Sequence, residues 1–178
     1  MDLRIKTFEA DTVDCLPWPA NEEAQYAKKY LVPLIKDGPL SYIDNADVRM
    51  MALTVGAIVM PLVISEESPS NSDVCSPYSH YVRYTVEEMA KRNDRLSQWL
   101  LKPLVLAAAV FLRASHLDKV VYVNNWLFMT NPCPKLTSSQ VREITAYLIE
   151  SYPDYAIVFR SVNRYTHKHF FDVLRENQ

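Results

Sequence analysis

Two short apolar runs indicate the fold class of this chain: Lys119-Val-Val-Tyr-Val-Asn124 and Tyr155-Ala-Ile-Val-Phe159. Continuous apolar runs of this length are typical of strands that are buried on both faces. Between them, Thr137-Ser-Ser-Gln140 has the capping-box pattern of a helix start, and Pro153 is placed to end that helix. A strand, a helix and a strand in this order predict a right-handed, parallel βαβ unit.

A second β region precedes this unit. Residues 48–54 and 58–64 are two β-rich runs that flank Val55-Gly56-Ala57, and this pattern predicts a hairpin that turns at Gly56. We expect Pro61 to lie at a sheet edge or a bulge, because proline cannot donate a ladder hydrogen bond. The hairpin supplies the antiparallel part of the predicted sheet.

Local signals outline the remaining elements. Further short strands are predicted at residues 3–8 and 78–84, and helices at 22–36, 85–115 and 166–176. Residues 99–112 are the most apolar stretch, which predicts a buried core helix. The predicted fold is a single α/β domain, residues 1–178. It has a mixed twisted sheet with an N-terminal antiparallel hairpin and a C-terminal parallel βαβ unit, and helices on both faces.

The scarcity of glycine excludes familiar nucleotide-binding loops. The 178 residues contain only Gly38 and Gly56, whereas loops that cradle phosphate need glycine for close backbone approach. The formal charge of −2 gives no general attraction for nucleic acid, so we expect no nucleic-acid partner.

Other features bear on the compartment. The longest apolar stretch is shorter than the roughly 20 residues that a membrane span requires, so none is expected. The cysteines Cys15, Cys75 and Cys133 are widely spaced and odd in number. Free thiols in a reducing compartment fit this pattern, and we expect a cytoplasmic protein without an N-terminal signal.

A candidate binding site follows the two strands of the βαβ unit. In open α/β sheets, ligands bind beyond the carboxyl ends of parallel strands. The sequence there is polar and contributes two guanidinium groups suited to carboxylate or phosphate. The predicted substrate-binding residues are Asn124, Asn125, Arg160, Asn163 and Arg164. The alternative is that these asparagines only form turns where the strands end.

Two other groups of residues invite a chemical interpretation. The segment from Cys75 to His80 has three possible interpretations. They are a catalytic thiol–imidazole pair, a general base at His80, and ordinary packing of an aromatic segment. Tyr78 would line the same pocket. The pair His167 and His169 has no nearby acid or third histidine, so we expect no metal site.

In the C-terminal part of the chain, Ile157-Val-Phe-Arg-Ser-Val-Asn163 is followed by a helix that carries Phe170, Phe171 and Leu174. This pattern resembles the second half of a GNAT-type acyltransferase domain. In that family, an Asn after the fifth strand often precedes such a helix. The hairpin at Gly56 corresponds to the early antiparallel strands of the family.

The resemblance implies a function, but one motif of the family is missing from this chain. It implies transfer of an acyl or aminoacyl group to an amine, acetyl-CoA or another acyl-CoA as the donor, and Tyr165 as the general acid. The family binds the coenzyme A pyrophosphate with a glycine-rich loop, but residues 124–137 contain no glycine. In this respect the chain is similar to the loop-less half of Fem-type aminoacyl transferases.

Two other function classes remain open. The chain could be a non-catalytic interaction module that uses an exposed strand edge for a protein partner or a homodimer. It could also be a thiol or metal enzyme that uses Cys75, His80, Cys133 or the two nearby histidines. The transferase hypothesis instead requires a small-molecule or peptide substrate in a cleft at the predicted substrate-binding residues. Tyr78 and His80 would lie across this cleft from Asn124.

Overall fold

The computed structural model describes residues 5–68, 70–91 and 95–176. Five strands form one sheet in the order of the sequence. Its strands are β1 (Ile5–Phe8), β2 (Arg49–Val55), β3 (Ile58–Ser65), β4 (Val120–Val123) and β5 (Ala156–Phe159). Neighbouring strands are antiparallel except for β4 and β5, which are parallel. The predicted mixed sheet is confirmed, although residues 3 and 4 of the first predicted strand lie outside the described ranges.

Helices cover both faces of the sheet. Helix α1 (Glu22–Asp37) lies on one face, and α4 (Ser138–Ser151) and α5 (Lys168–Glu176) lie on the other. Helices α2 (Tyr84–Lys91) and α3 (Arg95–Ala114) pack mainly against each other and the turn before α2. Because strand side chains alternate, β2 sends Met50 and Ala52 to the core under α1. Met51 and Leu53 point to the other core, where α4 and α5 pack.

Local sequence signals explain most of the element ends. Gly56 has a φ of +59°, as the first residue of a two-residue hairpin loop often requires, and Val55 pairs with Ile58. Thr137 and Gln140 form the predicted capping box at the start of α4. Helix α1 begins after Asn21, whose side chain accepts a hydrogen bond from the Ala24 amide at 2.8 Å.

Pro61 lies in an interior strand, so the prediction of an edge or a bulge was wrong. Strand β3 pairs with β2 on one side and β4 on the other, and Pro61 is opposite Ala52. Its carbonyl accepts from the Asn124 amide at 2.9 Å, just beyond the last β4 pair, Leu62 with Val123. The missing N–H therefore falls where the β3–β4 ladder ends, and no interior ladder bond is lost.

Two predictions were wrong: the strand at residues 78–84 and the buried core helix at residues 99–112. Residues 79–83 form a π-helical turn that continues into α2, so no strand forms at 78–84. Helix α3 is not a buried core helix, because Trp99 is 74% exposed and Leu104 is 67% exposed. It packs mainly against α2 and the π-helical turn rather than the sheet. Within the described ranges, no helix has both the length and the hydrophobicity that crossing a bilayer requires.

Candidate functional site

The candidate site lies where β4 and β5 end side by side. Val123 pairs with Phe159, and the Arg160 amide donates to the Val123 carbonyl at 3.0 Å. The chain leaves β4 at Asn124, whose φ of +60° is a conformation that asparagine tolerates better than most residues. The two polar exits that the sequence predicts therefore meet at one edge of the sheet.

Asn124 and Asn125 are buried, and the loop after β4 uses their amides. Asn124 donates from Nδ2 to the Pro132 carbonyl at 2.6 Å and accepts from the Trp126 indole at 2.9 Å. Asn125 donates to the Val74 carbonyl at 2.8 Å and accepts from the Leu127 amide at 3.0 Å. Their contact with a substrate stays a prediction, while in this structure both amides hold backbone in place.

Asn131 and Ser161, which the sequence analysis missed, tie the two loops together. Asn131 accepts from the Trp126 amide at 2.7 Å, and its own backbone amide donates to Ser161 Oγ at 2.9 Å. Ser161 has a φ of +60°, so its backbone is held in a sparsely populated conformation. The Asn131-Pro132 dipeptide marks a turn in the sequence, but its bond to Ser161 depends on the fold.

Arg160 braces the same loop from the β5 side. Its Nη2 donates to the Phe128 carbonyl at 3.1 Å, and the guanidinium lies 5.8 Å from the centre of the Tyr122 ring. Burial raises the pKa of the Tyr122 phenol far above its usual value, so this phenol stays protonated. The hydrogen bond from Arg160 to the Phe128 carbonyl gives this side chain a structural role. Because a guanidinium has five N–H donors, the same side chain is also able to bind a ligand.

Asn163, Arg164 and Tyr165 form the exposed rim of the site. Asn163 Oδ1 accepts from the Tyr165 amide at 3.0 Å and the Thr166 amide at 2.9 Å, in the turn that precedes α5. Arg164 is exposed, and Tyr165 is 96% exposed. Of the predicted site residues after β4 and β5, these three are exposed, and His80 is exposed elsewhere on the chain.

The start of α4 is already capped by the chain itself. The Thr137 amide donates to Gln140 Oε1 at 2.9 Å, and the Gln140 amide donates to Thr137 Oγ1 at 3.3 Å. The preceding loop, residues 124–136, contains no glycine, and asparagine side chains hold its backbone through hydrogen bonds. The amides of Thr137 and Gln140 are therefore already bonded within the chain and do not serve an anion in this structure.

The geometry of this edge does not by itself identify a known protein. A scan of protein-family models, a search of curated proteins and a search of solved structures each gave no match to this chain. Function is therefore inferred from the residues of the chain.

Tyr78 lines a different cleft. A cleft of about 380 Å³ is bordered by Glu67, Tyr78, Leu112, Arg113, His116 and Asp118. Arg113 donates to the Tyr78 hydroxyl at 3.0 Å, and Asp118 accepts from the Tyr78 amide at 2.8 Å. His80 contacts the Tyr81 ring edge-on and lies 3.9 Å from Asp73. None of the predicted substrate-binding residues is among those that border this cleft.

In the described part of the chain, no hydrogen bond joins a cysteine thiol to a histidine. Cys75 is fully buried, and burial raises the pKa of its thiol. His167 Nδ1 bonds the Thr166 hydroxyl at 2.8 Å, whereas His169 Nε2 bonds the Leu136 carbonyl at 3.2 Å. Within the described residues, no three metal-ligating side chains come together.

Proposed function

We propose that this chain is an acyltransferase-related domain of the GNAT type, with its ligand site where β4 and β5 end. The observation that carries the proposal is the sheet itself. Four successive antiparallel strands are followed by one parallel strand that α4 connects. The resemblance stated above implies early antiparallel strands and an Asn after the fifth strand, and parallel strands place two polar exits at one edge.

The ligand that fits this edge is an acyl or aminoacyl donor with an anionic group. Arg160 and Arg164 provide positive charge there, and Asn163 and Tyr165 provide polar atoms at the rim. Because the loop after β4 lacks glycine, the anion would be bound by guanidinium groups rather than by backbone amides. Transfer to an amine would use Tyr165 as the acid, as the resemblance implies.

The test is thermal unfolding with and without millimolar acetyl-CoA. At about 100 times its dissociation constant, a ligand adds about 2.7 kcal/mol, which raises the Tm of a chain this size by about 5 to 10 °C. The Arg164→Gln variant should lose most of this shift and keep the Tm of the free chain. Lys28→Gln, which removes an exposed positive charge on α1, should keep the shift. Equal shifts in both variants, or no shift in the unchanged chain, would count against a donor site at this edge.

A second candidate function is a non-catalytic interaction module that uses the outer edge of β5. Among the described residues, β5 pairs with β4 alone, and its other edge is open to an added strand. The hydrogen bonds that fold the loop after β4 also favour this alternative, since they occupy the amides of Asn124 and Asn125. A chain whose Tm does not change with acetyl-CoA, but which binds a partner strand at β5, would support this alternative.

A further inference from the structure

Helix α3 presents an unusually apolar surface to solvent. Six of its large apolar side chains are each at least 44% exposed: Trp99, Leu101, Leu104, Leu106, Val110 and Phe111. Single exposed apolar residues are ordinary, but a contiguous exposed patch on one helix marks an interaction site.

Apart from Leu101, which lies four residues before Val105 on the inner side, the exposed large residues lie on the sides of α3 that face away from the rest of the chain. Val105, Ala108, Ala109 and Leu112 are partly or fully buried, and this i, i+3, i+4, i+7 spacing is the inner stripe. On the outer side, Leu104, Ala107 and Phe111 are exposed with 3- and 4-residue spacing, as in one row of a helix–helix seam. The outer side therefore has the pattern of a helix that packs against another helix.

The size of this surface suits a dimer of this chain. The five large side chains on the outward sides present on the order of 500 Å² of apolar surface, since a fully buried aromatic side chain alone covers 150–250 Å². If a second copy covers the same surface, the two together bury roughly 1,000 Å². That total is the least expected of a biological interface, and it fits a dimer that forms only as the concentration rises.

We infer that α3 packs antiparallel against α3 of a second copy, with the two helices crossing at Ala107. Ala107 is exposed and lies between Leu104 and Phe111, so its small side chain allows the two backbones to approach. A two-fold axis at this point makes one surface complementary to itself.

The charges on α3 favour the antiparallel arrangement. Residues 95–114 contain the bases Arg95, Lys102 and Arg113 and no acid. In a parallel pair, each base would lie at the level of the same base in the other copy. In the antiparallel pair that crosses at Ala107, Lys102 lies within one position of Arg113 of the second copy, whereas Arg95 lies level with residue 119, beyond the end of α3. Arg113 donates to the Tyr78 hydroxyl of its own chain at 3.0 Å. The antiparallel pair therefore brings fewer like charges level with each other than the parallel pair does.

A lipid surface is a less suitable occupant. A helix that lies in a membrane interface gains from large apolar side chains throughout its apolar face. Here the middle of the face is Ala107, which is suited to a close helix crossing. The distinction is open to measurement with vesicles.

Sedimentation velocity from about 1 to about 100 µM, a range that covers micromolar dissociation constants, tests the dimer. We expect a shift from monomer to dimer with rising concentration. Val110→Glu should raise the dissociation constant at least ~10-fold, because it places a charge in the seam. Ile149→Glu, at an exposed position on α4, should leave it unchanged. Val110 is 69% exposed, so the variant monomer should keep its circular dichroism spectrum.

Cysteine cross-linking in a Cys15→Ser background tests the orientation. Under mild oxidation, Ala107→Cys should form a disulfide-linked dimer, because disulfides need Cα atoms within about 7 Å. Trp99→Cys should not, since two residues eight positions from the crossing lie ~24 Å apart at 1.5 Å per residue. The reverse result would overturn the antiparallel crossing.

Three other results would overturn the inference. One is a chain that stays monomeric up to about 100 µM, and a second is a dimer that Val110→Glu does not weaken, as expected for pairing through β5. The third is a monomer that binds vesicles of anionic phospholipid through α3, because the face would then serve a membrane. None of these results depends on acetyl-CoA, so the inference and the proposed function can fail separately.

Discussion

The two apolar segments of this chain, β4 and α3, have opposite environments. Val120–Val123 is buried on both sides of the sheet, between α1 on one face and α4 with α5 on the other. Helix α3 is also rich in apolar residues, yet six of its large apolar side chains are each at least 44% exposed. Hydrophobicity predicts that a surface will be covered, but it does not identify the element that covers it.

The difference in burial follows from the elements that pack against each segment. Strand β4 has ladder partners on both sides, and the loop that follows it is fastened by Asn124, Asn125 and Asn131. Helix α3 has α2 and the π-helical turn as its main contacts. We therefore expect the sheet region to be stable by itself and α3 to gain stability from a partner copy.

Truncation of a leucine in each region should give the largest contrast. Leu148 on α4 is fully buried, so Leu148→Ala should lower the free energy of unfolding by about 2–5 kcal/mol. Leu104→Ala on α3 should change it by less than about 0.5 kcal/mol in dilute protein, because Leu104 is exposed there. Urea unfolding of both variants at low concentration measures the difference. A large loss from Leu104→Ala would mean that α3 is packed within one chain.

Removal of a buried amide should have an intermediate effect. Asn125→Ala leaves the Val74 carbonyl and the Leu127 amide without their side-chain partner, and it should cost about 1–3 kcal/mol. Asn163→Ala is the matched control in the exposed turn before α5, and a loss of no more than about 1 kcal/mol is expected. Equal losses in the two variants would contradict the structural role given to the buried loop.

Thiol labelling should distinguish the buried and exposed regions without a large change in stability. Cys75 is fully buried and its thiol pKa is raised, so it should react with iodoacetamide far more slowly than the exposed Cys15. Cys133, which is partly buried and also has a raised pKa, should react at an intermediate rate. Mass spectrometry of the native chain over time measures the order. A Cys75 that reacts as fast as Cys15 would show that its surroundings open readily.

The sequence predicted the elements whose signals are local. The capping box at Thr137, the glycine turn at Gly56 and the two short apolar runs each depend on a few adjacent residues. Predictions that depend on distant neighbours failed: Pro61 is tolerated inside the sheet because β4 ends beside it. Helix α3 was expected to be buried because hydrophobicity alone cannot show which neighbours the fold supplies.

The candidate site was predictable in place but not in detail. Parallel pairing of β4 and β5 follows from the strand–helix–strand pattern, so Asn124 and Arg160 were expected at one edge. The hydrogen bond from the Asn131 amide to Ser161 Oγ joins residues 30 positions apart, so no local sequence pattern predicts it. The role of each asparagine, loop support or ligand contact, depends on such long-range bonds.

Amide hydrogen exchange at low and high protein concentration tests the contrast between the two regions most directly. Slow exchange requires amides that stay bonded and buried. We predict that amides of β3 and β4 are protected to the same degree at about 1 and about 100 µM, a range that covers micromolar dissociation constants. Those of α3 should become more protected as the concentration rises. Protection of α3 that is equal at both concentrations would contradict the account.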